Sequence, residues 1–136
     1  MHWTIGLLAL AGGMAAASGA FAQQTDCKNP QTQMEMTSCE QDRYDTADKA
    51  LNEQWKKTRA QTADVDTNLE EKDRGAEKAL LTAQRAWISY RDAECQAEGF
   101  QARGGSMEPM LVAGCLANLT DKRTKELKEL SDALGN

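Results

Sequence analysis

The sequence predicts an all-α fold, a small three-helix antiparallel bundle stapled by two disulfides. The first observation is that apolar residues recur at helical steps of three and four, with no alternating, strand-like run. The second is that turn-like segments divide this pattern into three parts, although the chain has only two prolines. The third is an even number of cysteines, four, behind an export-type leader.

The first 22 residues have the pattern of a secretory leader and are excluded from the fold. An apolar run, Ile5–Ala17, precedes the small-x-small site Ala20–Ala22, and polar residues follow it. We expect cleavage after Ala22 and a periplasmic or secreted mature protein that does not insert into a membrane. The 114 residues of 23–136 are enough for one helical domain.

Charge and histidine content exclude several classes of function. The net charge of −5 lies entirely in the mature part, and an acidic surface disfavours nucleic acid and anionic lipid as partners. The single histidine, His2, is lost with the leader, which excludes Ser-His-Asp, Cys-His and histidine-metal sites. The acids are spread along amphipathic helices as solvated charges are. We therefore expect no catalytic residues, no metal and no cofactor.

The first helix is expected to begin near Pro30, because Thr32 and Glu35 have the spacing of a capping box. It is expected to end near Ala60. Steps of three and four define its apolar face, which consists of Tyr44, Ala47, Leu51 and Trp55.

The polar segment 61–68 is predicted to be a turn, with Thr67 and Glu70 as a second capping box that starts the next helix. That helix should run to about Phe100. Its predicted core stripe is Ala76, Leu80, Ala83, Trp87, Tyr90 and Glu94. We expect Trp87, in the middle of this stripe, to pack between helices.

The segment 102–109, ARGGSMEP, should end the second helix, and its proline suits the first turn of a third. The third helix should stop at Gly135 and bury Val112, Leu116, Leu119, Leu127, Leu130 and Leu134. Arg123 lies inside this stripe, so we expect it to pair with a carboxylate, with Asp45 or Asp48 as candidates.

The four cysteines, Cys27, Cys39, Cys95 and Cys115, are predicted to form two disulfides. Their spacings of 12, 56 and 20 contain no C-x-x-C pair, which disfavours a zinc site. In an antiparallel bundle all four lie at one end. Cys95 with Cys115 is favoured because both are placed nearly symmetrically about the glycine turn, which leaves Cys27 with Cys39. The pairing of Cys39 with Cys95 and Cys27 with Cys115 remains open.

Four ordered segments resemble the lysozyme-inhibitor LprI-like N-terminal domain family of small bacterial exported proteins. The resemblance covers Cys27 to about Leu130 and implies a soluble protein of the bacterial envelope that binds lysozyme. The segments are ADKALNEQW at 47–55, AQRAWISYRDAEC at 83–95, GGSMEPM at 104–110 and CLANLTDKRTKEL at 115–127.

The leading hypothesis is an exported, non-enzymatic binding protein whose partner is a basic lysozyme. Lysozymes work with two carboxylates in a cleft, which a projecting loop of an acidic domain could block. The candidate loop residues are Arg103, Gly104, Gly105, Ser106 and Met107, and a candidate polar patch is formed by Gln84, Arg91 and Asp92.

Each candidate set also has a purely structural interpretation. The two glycines suit a turn between helices, and Arg91 with Asp92 suits a local ion pair. The alternative function is a general periplasmic interaction module for another exported protein or a cell-wall fragment.

Overall fold

The computed structural model describes residues 26–135, and in this part of the chain it contains three α-helices and no strand. The all-α, three-helix prediction is confirmed. The predicted leader and its cleavage site lie outside the described residues. No helix between residues 26 and 135 combines the length and apolar character needed to cross a bilayer. The helices are α1 (Gln33–Asn68), α2 (Ala76–Gly99) and α3 (Glu108–Leu134), with 3-10 turns at Glu71–Asp73 and Phe100–Ala102.

Helices α1 and α3 lie side by side and run in the same direction. Near their starts, an Arg43 Nη2 donates to the Gly114 carbonyl at 3.1 Å. Farther along, the Thr58 hydroxyl donates to the Leu127 carbonyl at 2.9 Å. These contacts advance together along both helices, and α1 and α3 share the most extensive interface of the bundle.

Helix α2 runs antiparallel to the other two. Its first turn meets the second half of α1, where Arg59 Nε lies 2.7 Å from a Glu77 carboxylate oxygen. Its last turns meet the start of α3, where Cys95 is bonded to Cys115. The up-down-up order is the one expected for three helices joined by short connections.

The predicted start of α1 is confirmed and its predicted end is wrong. The Glu35 N–H donates to the Thr32 hydroxyl, and the Thr32 N–H donates to the Glu35 carboxylate, which completes the capping box. The helix then continues past Ala60 to Asn68. Thr62 is buried in this added length, so tertiary packing overrides the turn-like composition of the segment.

The predicted capping box at Thr67 and Glu70 is also wrong. Thr67 lies inside α1 and its hydroxyl donates to the Ala63 carbonyl. Helix α2 begins six residues later than Glu70, at Ala76, and a carboxylate of the preceding helix, that of Asp66, caps it. The cap is therefore a tertiary contact and not a local one.

The buried face of α2 differs from the predicted stripe. Ala83, Tyr90 and Glu94 are exposed, while Trp87 is half-buried against the apolar core as expected. Long polar side chains can replace apolar ones on a buried face when their polar ends are paired. The residues that α2 buries are Leu80, Gln84, Arg91, Cys95 and Gly99.

Arg123 pairs with a carboxylate as predicted, but not with one on α1. Its Nη1 lies 3.1 Å from the Glu126 carboxylate in the same helix, and its Nε donates to Gln84 Oε1 at 3.0 Å. Asp45 and Asp48, the predicted candidates, make other contacts. Glu126 lies one helical turn from Arg123 in the same helix, a spacing at which side chains are neighbours.

The two disulfides are Cys27–Cys39 and Cys95–Cys115, so the favoured pairing is confirmed. With every cysteine oxidised, the alternative pairing and a four-thiolate zinc site are both excluded. Both disulfides lie at one end of the bundle. We call residues 26–48 and 91–118 the disulfide half.

The remaining described residues form the leucine half, named for its core. Leu51, Leu80 and Leu127 form the buried apolar cluster, and Trp55 and Trp87 pack against it. The large apolar core of the protein is thus concentrated away from the disulfides.

Candidate functional site

The connection between α2 and α3, Phe100–Met107, is a turn at the disulfide end that is held by hydrogen bonds. Gly104 has φ 77°, a backbone conformation that favours glycine. The Glu108 carboxylate accepts from the Gly104 N–H at 2.8 Å and from Arg103 Nη1 at 2.6 Å. The pKa of Glu108 is held below its ordinary value mainly by the hydrogen bond from the Gly104 N–H and next by the hydrogen bond from Arg103. The ionised carboxylate therefore ties the turn to α3.

The turn presents an unusual amount of apolar surface. Phe100 is 61% exposed, and Met107 is exposed as well. The Arg103 guanidinium carbon lies 4.7 Å from the centroid of the Phe100 ring, a cation–π distance. Exposed aromatic and methionine side chains of this kind are typical of protein-binding surfaces.

Two shallow concavities meet at Ser106. One, of about 680 Å³, lies between the turn and the first turns of α1 and is also lined by Met34 and Asp42. The other, of about 490 Å³, lies over the turn itself, between Phe100 and Met107. Met34 is 83% exposed. We call Met34, Asp42 and Phe100–Met107 the turn surface.

The negative charge of the protein is concentrated in the disulfide half. That half carries ten acidic and four basic residues, a net charge of −6, whereas the leucine half carries eleven acidic and twelve basic residues, a net charge of +1. Asp42, Glu94 and Glu98 are exposed and form no ion pair with another residue between 26 and 135. The field around the turn surface therefore attracts cations.

The loop candidates Arg103, Gly104, Gly105, Ser106 and Met107 lie together on this surface. The signal in the sequence was the paired glycines between two helices. Sequence reasoning did not identify Met34, Asp42 or Phe100. Met34 and Asp42 are 58 or more residues from the turn in the chain, so no local signal in the sequence indicated their proximity to it.

The second candidate group does not reach the turn surface. Gln84 and Arg91 are each 8% exposed, and only Asp92 of the three is exposed, with 51% of its side chain accessible. Gln84 accepts a hydrogen bond from Arg123 of α3. The role of this group in partner binding stays a prediction, with Asp92 as the member that a partner could contact directly.

Arg91 joins α1 and α2 through its charge and its flat face. Its guanidinium carbon lies 5.0 Å from the Trp87 ring centroid and 5.6 Å from that of Tyr44. It pairs with Asp92 at 2.8 Å and approaches Asp48 at 4.0 Å. Burial raises the pKa of Tyr44, and the nearby Arg91 opposes that rise. This arrangement is well suited to holding the helices together.

Among residues 26–135, no group of three or more histidine, cysteine, aspartate or glutamate side chains is arranged to hold a metal ion. The features that the described residues do bring together are an apolar turn, two concavities and an excess of negative charge.

Comparison with known proteins assigns the chain to a protein family. A family model described as Lysozyme inhibitor LprI matches residues 25–127. A protein of Rhizobium meliloti (strain 1021) named Uncharacterized protein R02472 is 47% identical over 124 residues, which cover 89% of each chain. No solved structure gives a significant match. The matched region contains all three helices except the last turns of α3, and the chain belongs to the LprI lysozyme inhibitor family.

Proposed function

We propose that the protein is an exported, non-enzymatic inhibitor that binds a basic lysozyme through its turn surface. Membership of the LprI family supports inhibition as the role and a protein as the partner. The choice of surface rests on one observation: three features of a binding surface lie in the same region of the protein. The excess negative charge, both concavities and the exposed apolar side chains all lie around Ser106.

Long-range attraction is the first step of binding in this proposal. A half-molecule with net charge −6 steers a basic protein toward the turn surface and raises the association rate, an effect that salt screens. The carboxylates of Asp42, Glu94 and Glu98, which form no ion pair with another residue between 26 and 135, are available to contact a basic rim.

Apolar burial and rigidity then supply the affinity. Phe100, Met107 and Met34 can each lose exposed apolar area to a partner. The turn that carries two of them is already fixed by Glu108 and by Gly104. Since it does not have to be ordered on binding, less of the interaction free energy is lost to entropy.

The test is a lysis assay with the oxidised mature protein, residues 23–136, titrated against chicken-type, goose-type and phage-type lysozymes. We expect saturable inhibition of one type, weaker at physiological salt than at low salt. The variant F100A/M107A should inhibit about ten-fold less well or worse, because exposed anchors carry much of an interface. The matched control is Ile88→Ala, which removes an exposed apolar side chain of the leucine half.

Two results would contradict the proposal. If no lysozyme type is inhibited at several-fold molar excess, the protein acts as a general interaction module for another exported protein or cell-wall fragment. If F100A/M107A and Ile88→Ala weaken inhibition equally, the lysozyme binds elsewhere on the protein.

A further inference from the structure

We infer that Arg103 is the side chain that the turn surface inserts between the catalytic carboxylates of its target, an inference that rests on the proposed inhibition of lysozyme. A lysozyme that is basic overall still has an acidic cleft, because two carboxyl groups flank the scissile bond. An acidic inhibitor that attracts the rim would be repelled by the cleft. The contact is complementary only if the inhibitor presents a cation at the point that enters the cleft.

Arg103 is the one cation within the turn surface. The other basic residues of the disulfide half lie elsewhere. Arg43 is bonded to Glu40 and to α3, Arg91 is buried, and Lys28 precedes α1. Arg103, by contrast, has a side chain that is 64% exposed. The charge pattern is therefore an acidic half with one cation, Arg103, at the turn surface, the inverse of a basic protein with an acidic cleft.

The guanidinium group is held in place while part of it stays free. Its Nη1 donates to Glu108, and its flat face lies over the Phe100 ring. Its Nη2 and Nε donate to no residue between 26 and 135. A guanidinium has five N–H donors in a planar fork, which matches carboxylate oxygens. The fixed group can thus keep its bond to Glu108 and donate outward to a second acid.

The distance between the target carboxylates suits such a group. In retaining glycosidases the two carboxyl groups lie about 5 to 5.5 Å apart. A planar cation placed between them can donate to both, which an ammonium or a hydroxyl does less well. Ser106, at the junction of the two concavities, could offer only a neutral hydrogen bond.

The test compares dissociation constants for the inhibited lysozyme, measured by titration calorimetry at low salt. We expect Arg103→Gln to bind about ten-fold more weakly or worse, because a charge-assisted pair is lost in a desolvated contact. Arg103→Lys should fall between wild type and Arg103→Gln. The matched control is Arg85→Gln, which removes an exposed arginine of the leucine half that forms no ion pair among residues 26–135. It should bind like the wild type.

A pH series separates this role from a purely structural one. The general acid of a lysozyme has a raised pKa of about 6, and a neighbouring guanidinium favours its ionised form. Binding through Arg103 therefore releases a proton, and wild-type affinity should rise between pH 5 and pH 7.5 more steeply than the affinity of Arg103→Gln. If Arg103 only shaped the turn, the variant would be weaker by the same factor at both pH values.

The outcomes are distinguishable. Inhibition by the wild type together with equal inhibition by Arg103→Gln, or parallel pH dependence of the two, overturns the assignment of Arg103 and leaves the proposed function standing. A larger loss for Ser106→Ala than for Arg103→Gln assigns the insertion to the hydroxyl and also overturns it. If the wild type does not inhibit lysozyme, both the proposed function and the assignment of Arg103 are wrong.

Discussion

The two halves of the bundle are held together by different means. In the leucine half, Leu51, Leu80 and Leu127 form an apolar cluster with two tryptophans. In the disulfide half, the buried residues other than Arg91 are small, and a buried disulfide joins α2 to α3. The small buried residues of that half are Ala47, Cys95, Gly99, Ala113, Cys115 and Ala117.

The difference shows how a small domain can keep large apolar side chains on its surface. A covalent link stabilises the disulfide half by restricting the unfolded chain, so that half does not depend on burying its large side chains. Met34, Phe100 and Met107 consequently stay exposed around the turn surface. Stability and binding are thus assigned to different residues.

The largest expected effect is the loss of the buried disulfide. Cys95 and Cys115 are 0% and 5% exposed and close a 20-residue separation, so C95A/C115A should lose about 4 kcal/mol of unfolding free energy, from loop entropy and lost packing together. C27A/C39A, which removes a link with an exposed partner and a separation of 12, should lose about 3 kcal/mol or less. Urea unfolding followed by circular dichroism measures both losses.

Equal losses for the two double variants would contradict this comparison. They would mean that closing a loop is all that either disulfide contributes, and that Cys95–Cys115 does not serve as the core of its half.

Truncation in the leucine half should have the next largest effect. Leu127 is 1% exposed within the apolar cluster, so Leu127→Ala should cost about 3 kcal/mol through lost burial and a residual cavity. Inhibition by the folded variant should be unchanged, because Leu127 is remote from the turn surface. Leu130 of the same helix was predicted to be buried but is 39% exposed, so Leu130→Ala serves as the control for both measurements. A loss of inhibition at a temperature where Leu127→Ala is folded would show that the halves are coupled.

The sequence was sufficient for features that depend on local chemistry. The three helices and the Thr32 and Glu35 capping box follow from spacing and residue type, and the nearly symmetric spacing about the glycine turn favoured the pairing of Cys95 with Cys115 over the open alternative. The glycine turn also pointed to Ser106 and its neighbours as surface candidates.

Features that depend on a distant partner were predicted incorrectly or not at all. Apolar periodicity assigned Ala83 to the core, whereas Gln84 is buried, with its amide oxygen accepting a hydrogen bond from Arg123 of another helix. Segment 61–68 has a turn-like composition but stays helical because Thr62 packs in the bundle. In the same way, no local signal places Met34 beside the turn.

The cap of α2 predicts a smaller, pH-dependent effect in the leucine half. The Asp66 carboxylate accepts from the N–H groups of Gly75, Ala76 and Glu77 at 2.8, 2.8 and 3.1 Å, and these bonds hold its pKa below the ordinary value. Its stabilisation is therefore complete above the pKa of the unfolded chain and is lost as pH falls through the lower folded pKa.

Asp66→Asn should accordingly lower the melting temperature by about 4 °C at pH 7, and by progressively less as the pH falls below about 4. Thermal melts at a series of pH values measure the difference. The control is Asp73→Asn, an exposed acid of the same connection that makes no side-chain hydrogen bond within residues 26–135. A constant difference across the pH range would mean that the carboxylate charge does not act at this helix start.

The smallest effect on stability is expected from Glu108→Gln in the disulfide half. The Glu108 carboxylate ties Gly104 and Arg103 to the start of α3, while the adjacent disulfide holds that end of the bundle independently. The melting temperature should therefore change by less than that of Asp66→Asn, but inhibition should weaken because Arg103 loses the anion that orients it. Glu129→Gln, a change of an exposed acid in the same helix, should alter neither quantity. If Glu108→Gln instead lowers the melting temperature as much as Asp66→Asn and leaves inhibition intact, the turn serves the fold. The disulfide half would then hold its structure by the same capping interactions as the leucine half.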